Sequence, residues 1–328
     1  MTDKAQNDYD QASASDETTA ERFSILVCTD GSDESFAALK YAVRIGSGTD
    51  ADLTLLYIRP MDQGLRMAGL QASLARENML NWGLELPGTK ALRRARDRLV
   101  ELEWLSVDWE QTITHKSVAG DPLGDNVTTY TSKEGRSIAL KRHVATTIAE
   151  GILDECERGN YDLTIIAKSE DDDAAGPGHI HPETADRVAL EHSGTVLVTR
   201  ALEESHGHLV CVTDEESSIR AARRDAVIAA RCMCPVYLLS VASEEEGRET
   251  AARAIAAAKS EIEAAGIRPS GEIIVIGDPI TEIVEEGKKY SVIVLSPDAS
   301  RSRWRRFFSK TTTIEVLKRA HNSVMVVR

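Results

Sequence analysis

The sequence predicts an α/β protein made of two tandem domains, each doubly wound around a mainly parallel sheet of five strands. Three observations carry this. Short apolar, β-rich runs alternate with stretches of helical periodicity, the pattern of βαβ units whose strands are buried on both faces. The first unit is sharply drawn: Ile25 to Cys28 reads as a buried strand, Thr29-Asp-Gly-Ser32 breaks it, and apolar residues then recur at Phe36, Leu39 and Val43. The unit also returns. Ile25-Leu-Val-Cys-Thr-Asp30 is echoed by Leu209-Val-Cys-Val-Thr-Asp214, followed by Ser217 and a second helical stretch. An internal repeat of this kind means two copies of one domain. A chain of 328 residues suits two domains, at about 150 residues each.

In the first half, helix Ser35–Ile45 leads to a second strand, Leu53–Ile58, whose counterpart in the second half is Val236–Val241. The second half then runs on without interruption. A helix rich in Ala, Glu, Lys and Ile spans Glu244 to Ala265 and is closed by Gly266. Strand Ile273–Ile276, a Gly277-Asp-Pro279 turn, helix Ile280–Glu286 and strand Val292–Leu295 follow, then helix Thr311–Arg319 and a last strand, Val324–Val327.

The stretch from Ile58 to Ile138 is more than twice as long as its counterpart from Val241 to Ile273, so the first domain is expected to carry an insertion at about 61–136. The insertion reads as an amphipathic helix at Lys90–Trp104 and alternating stretches at Glu110–Ser117 and Val127–Thr131. A Ser132-Lys-Glu-Gly135 turn predicts a β-hairpin with Ser137–Val144. The plan resumes with helix Ala145–Glu157, strand Leu163–Ala167, helix Pro182–Leu190 and strand Val196–Thr199. Gly120-Asp-Pro122 repeats the Gly277-Asp-Pro279 signal. Ser137–Val144 is nevertheless the better third strand, because the helix after it ends in Gly159-Asn-Tyr-Asp162, directly before strand four. The expected organisation is a disordered tail at 1–22, a first domain at 23–200, a linker at 201–207 and a second domain at 208–328.

Formal net charge is −14. Such a field repels nucleic acid and anionic membrane over most of the surface, so neither is expected as a partner. No apolar run is long enough to span a bilayer. The polar, acidic N-terminus lacks the basic start and apolar middle of a signal peptide, so export is not expected. Of the five cysteines, Cys28 and Cys211 lie in predicted strands and read as structural thiols. Cys232-Met-Cys234 is the only close pair; with no matching second pair it predicts no zinc site.

In an open doubly wound sheet, ligands sit beyond the carboxyl ends of the strands where the strand order reverses, here between strands one and four. That points to Thr29–Ser32 and Lys168–His181 in the first half, and to Thr213–Glu216 and Ser296–Lys310 in the second. These segments resemble the universal stress protein family. Asp30-Gly31-Ser32 looks like the family's opening after strand one, and Tyr161-Asp-Leu-Thr-Ile-Ile166 resembles its fourth strand. Glu315-Val-Leu-Lys-Arg-Ala320 before Val324-Met-Val-Val327 resembles its last helix and strand. The resemblance covers both halves except the tail and the insertion. It implies a cytoplasmic, flavodoxin-like α/β protein that dimerises through the last strand and, in some members, binds ATP with Mg2+.

ATP-binding members of that family carry Gly-x2-Gly-x9-Gly-[Ser/Thr] after strand four. The glycines let backbone N–H groups approach phosphate, and the final residue opens a helix whose N-terminus favours anions. Neither half keeps the motif. In the first, Gly176 and Gly178 have the wrong spacing, and Glu170 to Asp173 place four carboxylates in a row that oppose a triphosphate. The second has no glycine there; Arg301, Arg303, Arg305, Arg306 and Lys310 cluster instead before a helix that Ser309 or Thr311 can cap. Arginine forks suit phosphate or carboxylate.

The candidate sites are therefore Asp30, Gly31 and Ser32 for a nucleotide in the first domain, and Asp214, Arg301, Arg303, Arg305, Arg306, Lys310 and Thr311 for an anion in the second. Each has a plainer reading. Asp-Gly is strong turn chemistry by itself, and Glu215 and Glu216 crowd Asp214 with acid. Trp304, Phe307 and Phe308 would dock the basic loop rather than stack bases. His179 and His181 near Asp171–Asp173 read as a polar loop ahead of Pro182, not as a metal set. No Walker loop, nucleophile elbow or dinucleotide fingerprint occurs, so catalysis has no positive support.

The expected function is a non-catalytic, stress-linked regulatory or binding protein with weak or lost ATP binding. The alternatives are an adenine-nucleotide binder with slow ATPase or autophosphorylation activity, and an assembly scaffold. The expected partners are a protein, a second copy in a homo-oligomer, or the chain's own other half paired through the last strands.

Overall fold

Each predicted strand–helix unit forms, and the two halves merge into one sheet. The computed structural model describes residues 22–47, 51–61, 87–118, 121–168, 178–200, 206–297 and 310–328, without the side chains of 87, 121–123 and 310. The tail, Glu170–Asp173, Gly176, Arg301, Arg303, Arg305, Arg306 and the Lys310 side chain lie outside the described residues. The first half contains β1 (Phe23–Cys28), α1 (Asp33–Ser47), β2 (Ala51–Pro60), α2 (Pro87–Glu101), β3 (Glu110–Val118), β4 (Asp121–Thr131) and β5 (Ser137–Ala145). It continues with α3 (Ile148–Gly159), β6 (Leu163–Ala167), α4 (Pro182–Glu191) and β7 (Val196–Thr199). The second half contains β8 (His208–Cys211), α5 (Glu216–Arg231), β9 (Val236–Ala242), α6 (Arg248–Ala264) and β10 (Gly271–Ile276). It ends with α7 (Pro279–Gly287), β11 (Val292–Leu295), α8 (Lys310–Arg319) and β12 (Ser323–Val326).

The strands run in the order β10-β9-β8-β11-β12-β7-β6-β1-β2-β5-β4-β3. Read from the middle outwards, both halves have the same order: last strand, fourth, first, second, third. Each therefore reverses between its first and fourth strands, which sets the ligand crevice there. Pairing within each half is parallel, except along the β3–β4–β5 meander of the insertion. The halves join where β12 meets β7 antiparallel, with Val324 opposite Val198 and Val326 opposite Val196.

Side-chain alternation divides the core into two layers, one on each face. Ile25 and Val27 join the layer under α1, α2, α5 and α6. Leu26 and Cys28 join the layer under α3, α4, α7 and α8. Neither layer stops at the seam: Leu197 and Met325 share the first, and Val196, Val198, Val324 and Val326 share the second.

Two arginines clasp the seam reciprocally. Arg200, just after β7, donates to the carbonyls of Leu317 (2.8 Å) and Ala320 at the end of α8. Arg328, after β12, donates to Ala189 (3.1 Å), Leu190 (2.8 Å) and His192 at the end of α4. Each guanidinium thus satisfies carbonyls that a helix C-terminus leaves without partners, and does so across the seam.

Local chemistry moves some predicted ends. The third helix starts at Ile148 rather than Ala145, because Ala145 still pairs with Pro60 in the sheet and Thr147 caps the helix through Glu150 N–H. The helix predicted from Glu244 begins at Arg248, after a short 3-10 turn over Glu245–Gly247. The predicted hairpin turn forms: Gly135, at φ +79°, donates to the Ser132 carbonyl at 3.0 Å, and β5 is the third strand of its half, parallel to β2.

Candidate functional site

The crevice of the first half lies where Thr29–Ser32 leaves β1 and where the segment after β6 returns at Gly178–His181. Gly31 holds φ +86°, and a Cβ there would meet the Ala91 Cβ of α2 at 2.9 Å. Only glycine fits both the backbone and the approach of α2. Ser32 caps α1: its hydroxyl accepts from Ser35 N–H at 3.2 Å, and its carbonyl accepts from Phe36 N–H at 3.2 Å. The candidate nucleotide serine is therefore engaged with its own helix.

Asp30 is held from both sides. One carboxylate oxygen accepts from the Ser32 backbone N–H at 2.9 Å and from the Ser32 hydroxyl at 2.6 Å. The other faces His179 Nδ1 at 3.1 Å and accepts from Ile180 N–H at 3.2 Å. Both side chains of the Asp30–His179 pair are 5% exposed. Burial alone would raise the Asp30 carboxyl. The Ser32 hydroxyl, the Ser32 and Ile180 N–H groups and His179 outweigh it and hold the carboxyl below its ordinary value.

His179 corrects the sequence reading, which left it in a polar loop. It is buried against Asp30, its ring meets His181 edge-on at 4.9 Å, and its Nε2 is buried with no hydrogen-bond partner among the described residues. The rest of the crevice is filled by packing. Gly178, at φ +99°, lies so close that a Cβ would stand 2.3 Å from the Tyr57 hydroxyl. Gly88, at the start of α2, lies against the same ring, where a Cβ would approach Tyr57 Cδ1 to 2.6 Å. Burial, followed by the Asp30 charge, pushes the Tyr57 phenol up. Arg94 of α2 reaches the Gly31 carbonyl at 3.3 Å and stacks on Phe36. The insertion thus packs onto the crevice loop. Its helix was legible in the sequence, but its position over Gly31 was not.

The second half is built differently. Thr213 N–H donates to Ser218 Oγ at 3.0 Å, and α5 opens without a side-chain cap from Glu215. Asp214 is exposed beside Glu215 and Glu216, and Thr311 is exposed at the start of α8. A cavity of about 840 Å³ opens by Ser296 and Pro297, at the root of the segment that carries Arg301–Arg306. Arg220, Arg223, Arg224 and Arg328 line it together with Asp162 and Glu261. All four arginines already have partners: Arg220 pairs with Glu216, Arg223 lies 4.0 Å from Glu261, Arg224 donates to the Arg328 carbonyl, and the Arg328 guanidinium donates to the end of α4. Sequence reasoning placed the cations in the loop after β11 and missed those on α5, which line the cavity beside Ser296 and Pro297.

Among the described residues of the first crevice, the groups that the family resemblance assigns to ATP already have partners. The carboxylate is fully engaged, the serine caps a helix, and Tyr57 and Gly178–Ile180 stand in the crevice. The architecture is that of a tandem doubly wound α/β protein. The chain belongs to the universal stress protein family, whose model matches residues 22–200. Solved structures extend the likeness to both halves. A universal stress protein from Archaeoglobus fulgidus DSM 4304 aligns at 14% identity over 93% of this chain and 98% of that one, with a TM-score of 0.56. A provisionally assigned universal stress protein from Pseudomonas aeruginosa UCBPP-PA14 aligns at 16% identity over 93% and 92%, with a TM-score of 0.56. At these identities the likeness shows the fold. Comparison with curated proteins finds no match.

Proposed function

We propose that this chain is a non-catalytic, cytoplasmic binding or regulatory member of its family, with ATP binding weak or lost in the first half. The carrying observation is the state of Asp30: both oxygens are taken by Ser32, His179 and Ile180, in a pair 5% exposed. A nucleotide that needed this carboxylate would first have to break a buried, charge-assisted set, each bond of which contributes about 1.5–3 kcal/mol. Absence of a helix long and apolar enough to cross a membrane, among the described residues, is compatible with this reading.

The test is nucleotide content and affinity. Purified chain is denatured, its supernatant assayed for adenine nucleotides, and refolding-free native protein titrated with ATP, with and without Mg2+. No co-purified nucleotide and no saturable ATP binding are expected. Micromolar ATP binding that disappears in Asp30→Ala would overturn the reading in favour of the nucleotide-binding alternative.

A second reading concerns the other half. The arginine-lined cavity beside Ser296 supports an anion subsite that Arg301, Arg303, Arg305, Arg306 and Lys310 could complete. Inorganic phosphate titrated into the protein should bind more weakly when Arg305 and Arg306 are both replaced by Ala; unchanged affinity rules the loop out. For assembly, β7 and β12 already pair with each other. This supports pairing of the two halves within one chain in place of dimerisation through a free last strand.

A further inference from the structure

We propose that His208, Cys232 and Cys234 form a binding site for Zn2+, set at the amino end of β8 where α1 of the first half meets the end of α5 of the second. One ligand atom from each residue can be chosen so that all lie within 4.8 Å of one another. His208 opens β8 and is fully buried. Cys232 follows the last residue of α5, and Cys234 stands two residues further on, before β9.

The backbone is shaped to bring the two sulfurs together. Met233, between them, has φ +55° and is 90% exposed, so it turns out to solvent while both cysteines turn inward. A residue outside glycine rarely takes that conformation. Cys232 N–H and Cys234 N–H both donate to the Ala229 carbonyl, at 3.2 and 2.9 Å, and the sulfurs lie 2.9 Å apart.

The imidazole supplies the independent observation. Its Nδ1 lies 2.8 Å from Asp225 Oδ1 of α5, a carboxylate with no exposure, and Asp225 Oδ2 is buried with no hydrogen-bond partner among the described residues. A carboxylate on Nδ1 fixes the ring and presents Nε2, which is how metal-binding histidines are usually oriented. Nε2 now meets the Tyr41 hydroxyl of α1 at 2.8 Å. On metal binding, that hydroxyl either yields the nitrogen or joins as a fourth, oxygen donor. A buried Asp–His anchor accounts for Asp225 and His208 alone; it does not account for two thiols folded onto the same imidazole.

Two sulfurs and one nitrogen suit a d10 ion such as Zn2+ and disfavour Mg2+ or Ca2+, which take oxygen. The bound ion would tie the α5–β9 turn to β8 and, through Tyr41, to α1 of the other half. Its contribution is to the docking of the halves, not to a reaction.

The full chain is reduced, stripped of metal with a chelator and titrated with Zn2+ in competition with a chromophoric indicator; Co2+ is titrated separately. One Zn2+ per chain, a thiolate-to-Co2+ absorption band, and loss of both in the Cys232→Ser/Cys234→Ser double variant are expected. Cys234→Ser alone, at a half-buried position, serves if the double variant does not fold. Asp225→Asn keeps both thiols and should weaken Zn2+ by about 10–100-fold. Folded, reduced protein that binds neither ion overturns the proposal. So does Zn2+ binding untouched by these variants, or a Cys232–Cys234 disulfide that persists under reductant and excludes Zn2+.

Discussion

Asp30 is the residue whose chemistry reverses between a local and a spatial reading. In sequence it is an exposed turn acid available to a ligand. In the fold it joins the two loops of the crevice, and its ionised form is preferentially stabilised there. Asp30→Asn should therefore destabilise the protein by about 1.5–3 kcal/mol near pH 7, the range for hydrogen bonds to charged groups. Its folded pKa lies below that of a free aspartate, about 3.9. The contribution is thus complete above that value and is lost as pH falls through the folded pKa. Urea unfolding of both proteins at pH 7 and pH 3 checks this: the gap between them should narrow at the lower pH. Gly31→Ala tests the packing around the same loop. It combines φ +86° with a contact of 2.9 Å to Ala91, and a loss of more than about 1 kcal/mol is expected in the same assay.

At the scale of elements, helix ends decide how the halves hold together. Arg200 and Arg328 each stop a helix that belongs to the other half. Replacing either by Ala should lower stability by about 1 kcal/mol, within the range of charges at helix C-termini, and the double variant should lose more. Chemical denaturation measures it. His192, next to the Arg328 clasp, has its pKa lowered by burial first and by Arg328 and Arg224 after it. It is therefore held neutral in the fold, while the unfolded chain takes up a proton below about pH 6.5. Its contribution is full above that pH and declines as pH falls towards the folded value. His192→Gln should flatten the fall in stability between pH 7.5 and pH 5.5; an unchanged slope would show that another group carries it.

For the whole molecule, the seam turns two repeats into one sheet with two shared core layers. The last strand of each half is the inner neighbour of the other, so separating the halves would expose two apolar strand edges. We expect the intact chain to run as a monomer of 35.9 kDa by light scattering. Residues 1–205 and 206–328, expressed apart, should each self-associate or aggregate, and should combine one-to-one when co-expressed. Two halves that each stayed monomeric when alone would argue against the seam as the main assembly contact.

The sequence by itself determined the elements and their arrangement. Periodicity and the echo of Ile25–Asp30 in Leu209–Asp214 are local properties, and right-handed βαβ connection then leaves little freedom in topology. Even the choice of Ser137–Val144 over Gly120-Asp-Pro122 as the third strand followed from order along the chain. Only the tertiary structure decided the site. His179 reads as a loop residue because nothing within several positions of it marks burial; its partner, Asp30, is distant in sequence. The same holds for Tyr57 beside Gly178, for α2 over Gly31, and for His208 against Cys232 and Cys234. Each depends on which strands become neighbours in the sheet, and only folding brings those residues within bonding distance.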